Sequence, residues 1–135
     1  MGYVFSVGGL LSNLSVLDNI ILPLRFAGMP AAPARANALE VLTGLGLERV
    51  ADMRPGALAT EACQLVQLAR AMALHADLLL LEEPFRGLSA ATANEVAEWL
   101  RSELAAHRVS VLLTTSDLTD AHKIGARLVA LESPD

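Results

Sequence analysis

The stretch QLVQLARAMALHADLLLLEEPFRGL, residues 64–88, decides the fold. Its first half has the apolar spacing of an amphipathic helix, and a short polar turn follows. Four leucines, residues 78–81, then lead directly into Glu82, Glu83 and a proline, which is the pattern of a strand buried on both faces. Open α/β sheets bind ligands at the carboxyl ends of their strands. The two acids therefore predict a magnesium and phosphate site.

The residues after this stretch continue the alternation of helix and strand. Ser89 can cap a long helix over about residues 90–106, and Val109–Thr115 is an uncharged, β-branched strand that we expect to be buried. A short helix over about residues 117–124 and a last strand at Arg127–Leu131 complete the pattern. Strands that alternate with helices in this order predict a parallel α/β sheet with right-handed crossovers.

The residues before the central strand, 7–74, are predicted to be mainly helical. Asn13 or Ser15 can cap a first helix, which Pro23 should kink or end because proline lacks an N–H group. Thr60 is the predicted N-cap of the helix that leads into the central strand. A strand is also predicted near the amino terminus, at Tyr3-Val4-Phe5.

Length and composition restrict the class of protein. The 135 residues predict one domain, 1–135, with a helical subdomain over about 7–74 and an α/β core portion over about 75–135. The hydrophobic content of 53% and the mean hydropathy of +0.45 indicate a surface that expects a partner, but no run is long enough to insert into a membrane. The net charge of −5 argues against nucleic acid as a partner, and the single cysteine fits a reducing compartment.

Lysine usage bears directly on nucleotide binding. A P-loop requires G-x-x-x-x-G-K-[ST], in which backbone amides cradle the phosphates and the lysine neutralises them. The only lysine is Lys123, in the sequence AHKIG, so these residues contain no such motif. Any nucleotide site within them is predicted to be incomplete.

In this order, the motifs resemble the C-terminal two-thirds of the ABC transporter ATP-binding domain. LARAMALHADLLLLEEPFRGL, residues 68–88, is similar to the signature helix, Walker B strand and D-loop of that family, and TTSD, residues 114–117, lies where the family has its switch histidine. Residues 10–28, LLSNLSVLDNIILPLRFAG, are similar to the segment after the Q-loop of the family. Within the family, their sequence is most similar to Mla-type lipid or lipoprotein-release ATPases. The resemblance implies a partial P-loop NTPase (RecA-like) sheet with an α-helical signature subdomain, lacking the P-loop strand that would precede Gly2.

The resemblance assigns two acids to the chemistry of Mg-ATP hydrolysis. Glu83 matches the glutamate that polarises the attacking water as general base. Glu82 stands at the Walker B position that holds magnesium, where the family has an aspartate. Glutamate keeps the charge but is one methylene longer, and magnesium demands near-ideal octahedral geometry.

The remaining nucleotide-contacting positions depart from the family pattern. They are Ser6 for the Q-loop glutamine, Ala59, Thr60 and Glu61 for the Ser-Gly-Gly of the signature, Ser89 for the D-loop aspartate, and Ser116 for the switch histidine. Glu61 would place a negative charge where the family's glycines approach a phosphate. Catalytic groups that act as a unit fail together, so the chain is expected to be a degenerate, truncated ATPase that binds no Mg-ATP alone.

Two further functional interpretations remain open. The chain could be a non-catalytic interaction or regulatory subunit that docks on a transmembrane permease or an intact ATPase, in the cytoplasm at the inner membrane. It could also be an unrelated α/β binding module, with Glu82 and Glu83 merely a strand-ending acidic pair. The resemblance implies that the first helix, with Ile20, Ile21 and Leu24, docks a permease, whereas ordinary core packing explains the same apolar spacing.

An empty slot for the P-loop strand has a consequence for the isolated chain. Unpaired amides and carbonyls beside apolar strands favour aggregation. We therefore expect the isolated chain to need a partner strand or to rearrange its sheet.

Overall fold

The computed structural model describes residues 9–107, 109–116 and 122. The α-helices in these residues are α1 (Val16–Phe26), α2 (Ala31–Gly44), α3 (Thr60–Ala73) and α4 (Ala90–Ala106); the strands are β1 (Leu78–Glu82) and β2 (Ser110–Thr114); short 3-10 turns lie at Glu48–Val50 and Pro55–Ala57. The strands predicted at Tyr3-Val4-Phe5 and Arg127–Leu131 lie outside the described residues, as does the helix over 117–124 apart from His122. The predicted division near residue 74 stays a prediction.

The first helix begins as its sequence predicts but does not end at its proline. Ser15 is the N-cap, and its Oγ accepts a hydrogen bond from the Asp18 N–H at 3.0 Å. The helix runs through Pro23 to Phe26, so the expectation that Pro23 would end it is wrong. Helical bonding resumes at once, since the Ala27 N–H donates to the Pro23 carbonyl at 3.0 Å.

Asn19 is the one buried polar side chain among the described residues, with 2% of its surface exposed. Its Oδ1 accepts from the Leu11 N–H at 2.7 Å. Its Nδ2 donates to the carbonyls of Leu11, Leu14 and Ser15 at 3.1, 3.3 and 2.9 Å. The amide therefore supplies the partner of the Leu11 N–H and of the Leu14 carbonyl, and it adds a second donor to the Leu11 and Ser15 carbonyls, which also accept backbone N–H groups.

Helices α1, α2 and α3 pack on one another, and small residues let α2 approach closely. Ala34 and Ala38 of α2 are fully buried, as are Val66 and Ala69 of α3. The last helix of the three starts one residue earlier than predicted, because Ala59 is its N-cap and Thr60 is its first residue. Ala59 provides no side-chain hydrogen bond, so the N–H groups of the first turn have no hydroxyl cap.

The two strands form a parallel pair in the register Leu78↔Ser110 to Glu82↔Thr114. In β1, Leu79 and Leu81 are buried, and the alternate leucines are half-buried. Strand β2 was predicted to be buried, and this is wrong for the described structure, in which Leu112 is 60% exposed. The described part of the sheet has two strands, so β2 lies at its edge and part of its surface is uncovered.

Helix α4 connects β1 to β2, has the predicted bounds, and packs its tryptophan against α2. Its buried stripe includes Val96 and Leu100. Trp99 is half-buried and lies against Gly44 so closely that a Cβ on this glycine would be 2.6 Å from the indole Nε1. No helix in the described part of the chain has both the length and the apolarity to cross a lipid bilayer.

Candidate functional site

The two acids lie at the carboxyl end of β1, as the sequence predicts. Glu82 is the last residue of the strand and is exposed. Glu83 follows it, and its N–H donates to the Thr114 carbonyl at 2.8 Å, which extends the pairing with β2 by one residue. Its φ of +46° lies in the left-handed region, which is uncommon for a residue other than glycine.

The Glu83 carboxylate is hydrogen-bonded by the end of the neighbouring strand. Its Oε1 accepts from the Ser116 backbone N–H at 2.8 Å, and its Oε2 accepts from the Thr115 hydroxyl at 3.4 Å. The Arg86 Nη2 lies 3.8 Å from the same Oε1, but this side chain is 75% exposed, so the ion pair is weak. The side chain of Glu83 is 18% exposed. The structure thus brings together Glu83 and Ser116, two of the residues predicted from sequence.

Glu82 is the predicted magnesium ligand, and this role stays a prediction. Magnesium binds oxygen ligands in octahedral geometry and commonly takes one or two carboxylates, with waters and phosphates completing the shell. Glu82 is an exposed carboxylate, and each oxygen of Glu83 already accepts a donor. Within residues 9–107, 109–116 and 122, no group of three or more His, Cys, Asp or Glu side chains is placed to hold a metal ion. The described residues at this strand end therefore offer at most the one or two carboxylates of such a shell.

The signature positions lie at the beginning of α3. Ala59 is the N-cap, and Thr60 opens the helix; both are exposed. Glu61 is half-buried in the first turn. Helix N-termini attract anions through their free N–H groups and the helix dipole. A glutamate in this turn supplies that anion from within the chain.

The two remaining predicted site residues are Ser89, at the D-loop position, and Ser6, at the Q-loop position. Ser89 is the N-cap of α4: its Oγ accepts from the Thr92 N–H at 3.2 Å and lies 2.9 Å from the Thr92 Oγ1. The predicted cap is confirmed, and the hydroxyl at the D-loop position is engaged within its own helix. Ser6 lies outside the described residues.

Gln64 is a residue of the site that sequence reasoning did not single out. It lies on α3, and its Nε2 donates to the carbonyl of Pro84 at 2.9 Å and to that of Glu83 at 3.3 Å. The side chain therefore ties the signature helix to the loop that carries the acid. The available signal was its position as the last residue of LATEACQ, a polar residue between apolar ones.

Arg70 lies in the last turn of α3 and is half-buried there. Burial lowers the pKa of its guanidinium, because desolvation disfavours the charged form. Its Nη1 donates to the Gly9 carbonyl at 3.5 Å. These contacts agree with local packing and pairing as the main role of Arg70.

The chain is similar in sequence to ATP-binding proteins of transport systems. No family model matches the chain. The chain is 33% identical over 130 residues to the glycine betaine/proline betaine transport system ATP-binding protein ProV of Salmonella typhimurium, covering 96% of this chain and 32% of that protein. It is 38% identical over 128 residues to the molybdenum import ATP-binding protein ModC of Mycobacterium tuberculosis, covering 92% and 35%. A putative hemin import ATP-binding protein, HrtA of Staphylococcus epidermidis, is 34% identical over 97% of this chain and 59% of its own length.

Solved structures give the same result. The dimeric structure of MJ0796, a bacterial ABC transporter cassette, superposes with a TM-score of 0.78 at 30% identity, covering 91% of this chain and 55% of that one. Its post-hydrolysis form bound to ADP and Pi also gives a TM-score of 0.78, at 28% identity. The chain has the α/β fold of an ABC ATPase and is similar in sequence to ABC transporter ATP-binding domains, but it spans between about a third and three fifths of the length of the relatives named here.

Proposed function

We propose that these 135 residues are part of an ABC transporter ATP-binding subunit, and that by themselves they neither hold nor hydrolyse ATP. Two observations carry the proposal: these residues contain no G-x-x-x-x-G-K-[ST] motif, and at the beginning of α3 Glu61 lies in the first turn while Ala59 offers no hydroxyl. In the family these positions are expected to hold a phosphate. Two unit charges of like sign about 4 Å apart at an effective dielectric near 20 repel by about 4 kcal/mol.

The arrangement around Glu83 supports the same proposal. The residue at the switch position is Ser116, which has no side chain that titrates near neutral pH. What Ser116 contributes is its backbone N–H, and this holds the carboxylate of the general-base position. Each oxygen of Glu83 accepts one donor, from Thr115 at 3.4 Å and from Ser116 at 2.8 Å, which orients the carboxylate toward the end of β2. At the magnesium position, the side chain of Glu82 is one methylene longer than the aspartate of the family. No G-x-x-x-x-G-K-[ST] motif occurs in these residues.

Isothermal titration of Mg-ATP into the folded chain tests the binding half of the proposal. We expect no saturable heat up to about 1 mM nucleotide, which corresponds to less than about 4 kcal/mol of binding free energy. A matched variant, Glu61→Gly, removes the negative charge and should change this little, because the phosphate-cradling loop is not among these residues. Saturation by the unaltered chain at micromolar Mg-ATP would contradict the proposal.

A second candidate function is a non-catalytic subunit that docks on a permease or on an intact ATPase. The observation favouring it is on α1, where Phe26 is 84% exposed and Leu22, one turn earlier, is 37% exposed. The face predicted from sequence to dock a permease is different: Ile20 and Leu24 are 0% and 1% exposed, and they belong to the core. We therefore assign docking to the Leu22 and Phe26 side of the helix, which would hold the chain peripherally on the cytoplasmic face of the inner membrane.

Co-purification with a permease subunit encoded beside this chain's gene tests the docking surface. Phe26→Glu should reduce recovery of the chain with the permease by about tenfold, because it replaces an apolar contact by a charge. Arg35→Glu, an exposed substitution on α2, is the control and should retain recovery. Equal recovery of all three proteins would count against this surface.

The transported substrate belongs to the same set of proposals. The sequence wording nearest to lipid-handling and lipoprotein-release ATPases stays a prediction. The relatives named above carry osmolyte, molybdenum and hemin descriptions instead.

A further inference from the structure

The loop after β1 holds Glu83 in a conformation that needs support. Left-handed backbone is costly for a residue with a Cβ and persists where the surroundings determine it. On one side, the Glu83 N–H is fixed by the Thr114 carbonyl. On the other side, the Glu83 carbonyl accepts from the Arg86 N–H at 3.1 Å, within the turn itself. These two hydrogen bonds fix the backbone conformation of the turn. They do not fix how the turn packs against the helices.

Gln64 supplies the missing contact to the helices. Its Nε2 reaches both peptide carbonyls of the turn, at Glu83 and Pro84, and its side chain is half-buried on α3. Pro84 is among the most deeply buried side chains of the described residues, so this end of the loop cannot shift without disturbing the core. The amide of Gln64 therefore fixes the peptide groups from which the Glu83 side chain projects.

We propose that Gln64 is a positioning residue that acts through the Glu83 backbone to aim its carboxylate at Ser116 and Thr115. The same contact couples the placement of α3, the signature helix, to the carboxyl end of the sheet. A shift of α3 would release the left-handed turn and with it the acid. The general-base role of Glu83 rests on the proposed function. The positioning of its carboxylate by Gln64 does not depend on that role.

Amide hydrogen exchange followed by NMR on the full chain tests the proposal without nucleotide. The readout is protection of the Ser116 and Glu83 N–H groups relative to that of Ile20 in the buried part of α1. Gln64→Met keeps the length and removes the donor, and should lower this relative protection about tenfold. Gln67→Met is the matched control on the same helix, because Gln67 is also half-buried and its side chain makes no hydrogen bond among the described residues. It should leave the ratio unchanged.

Two charged variants keep the test decisive if Gln64→Met does not fold. Gln64→Lys retains a donor toward the two carbonyls and should preserve relative protection of the Ser116 N–H, whereas Gln64→Glu presents an acceptor and should lower it. A uniform loss of protection at Ser116 and Ile20, or identical ratios in the lysine and glutamate variants, would overturn the proposal. Detection of ATP hydrolysis would contradict the proposed function and leave this inference standing.

Discussion

Asn19→Leu is expected to lower the free energy of unfolding by about 3 kcal/mol, because buried polar groups left without partners carry their full desolvation cost. Leucine has as many heavy side-chain atoms as asparagine but satisfies neither the Leu11 N–H nor the Leu14 carbonyl. The carbonyls of Leu11 and Ser15 would lose one donor each and keep their backbone donors. The loop before α1 would lose the group that organises it. Urea unfolding monitored by circular dichroism measures the change, with the slope of the transition showing whether cooperativity is retained.

The control for this substitution lies six residues earlier. Asn13 is exposed, and its side chain makes no hydrogen bond among the described residues. Asn13→Leu should change the free energy of unfolding by less than about 0.5 kcal/mol, as surface substitutions commonly do. Similar losses in both variants would mean that the Asn19 network does not organise the loop.

Gly44→Ala is the second substitution with a large expected effect. The new Cβ would lie 2.6 Å from the Nε1 and 3.4 Å from the Cδ1 of Trp99, which is closer than carbon and nitrogen atoms pack. Overpacking of this kind costs about 1–3 kcal/mol. Alanine is the better helix former by about 1 kcal/mol, which offsets part of that cost at the last residue of α2. We therefore expect a net destabilisation of up to about 2 kcal/mol, measured by urea unfolding.

A double-mutant cycle identifies Trp99 as the cause. In a Trp99→Leu background the indole is absent, so Gly44→Ala should be neutral or stabilising by up to about 1 kcal/mol. The coupling energy should then be close to the overpacking cost of about 1–3 kcal/mol. Gly56→Ala is the matched control, because a Cβ there meets no atom within 4 Å and the residue does not have a positive φ. A destabilising effect of Gly44→Ala that persists without the indole would show that the α2–α4 contact is not responsible.

The parts of the fold that follow from local sequence could be predicted. Ser15 and Ser89 each combine a short hydroxyl side chain with a following apolar period, and both are N-caps in the structure. The run of four leucines before two acids predicted β1 and its end. These features depend on residues within a few positions of one another. Their signals therefore survive in a single sequence.

Features that depend on distant partners could not be predicted in the same way. Pro23 was expected to kink or end α1, but the helix continues through it to Phe26, and Ile20 and Leu24 on either side of the proline are both buried in the core. The exposure of Leu112 depends on which strands neighbour β2, which its own apolar residues do not reveal. The Trp99 and Gly44 contact joins two helices far apart in the chain and has no local sequence signal.

The candidate site shows the same division. Placement of Glu82 and Glu83 at a strand end followed from the sequence pattern. The engagement of the Glu83 carboxylate by Ser116 required the register between β1 and β2, which brings Glu82 opposite Thr114. The role of Gln64 required the packing of α3 against the loop, 19 and 20 residues away in sequence.

Phosphate release from Mg-ATP by the purified 135-residue chain tests the central claim most directly. Unaltered protein and Glu83→Gln should be indistinguishable from each other and from a protein-free blank, because the phosphate-contacting positions are altered and the Glu83 carboxylate is already hydrogen-bonded. Release above the blank by the unaltered chain, abolished in Glu83→Gln, would contradict the account.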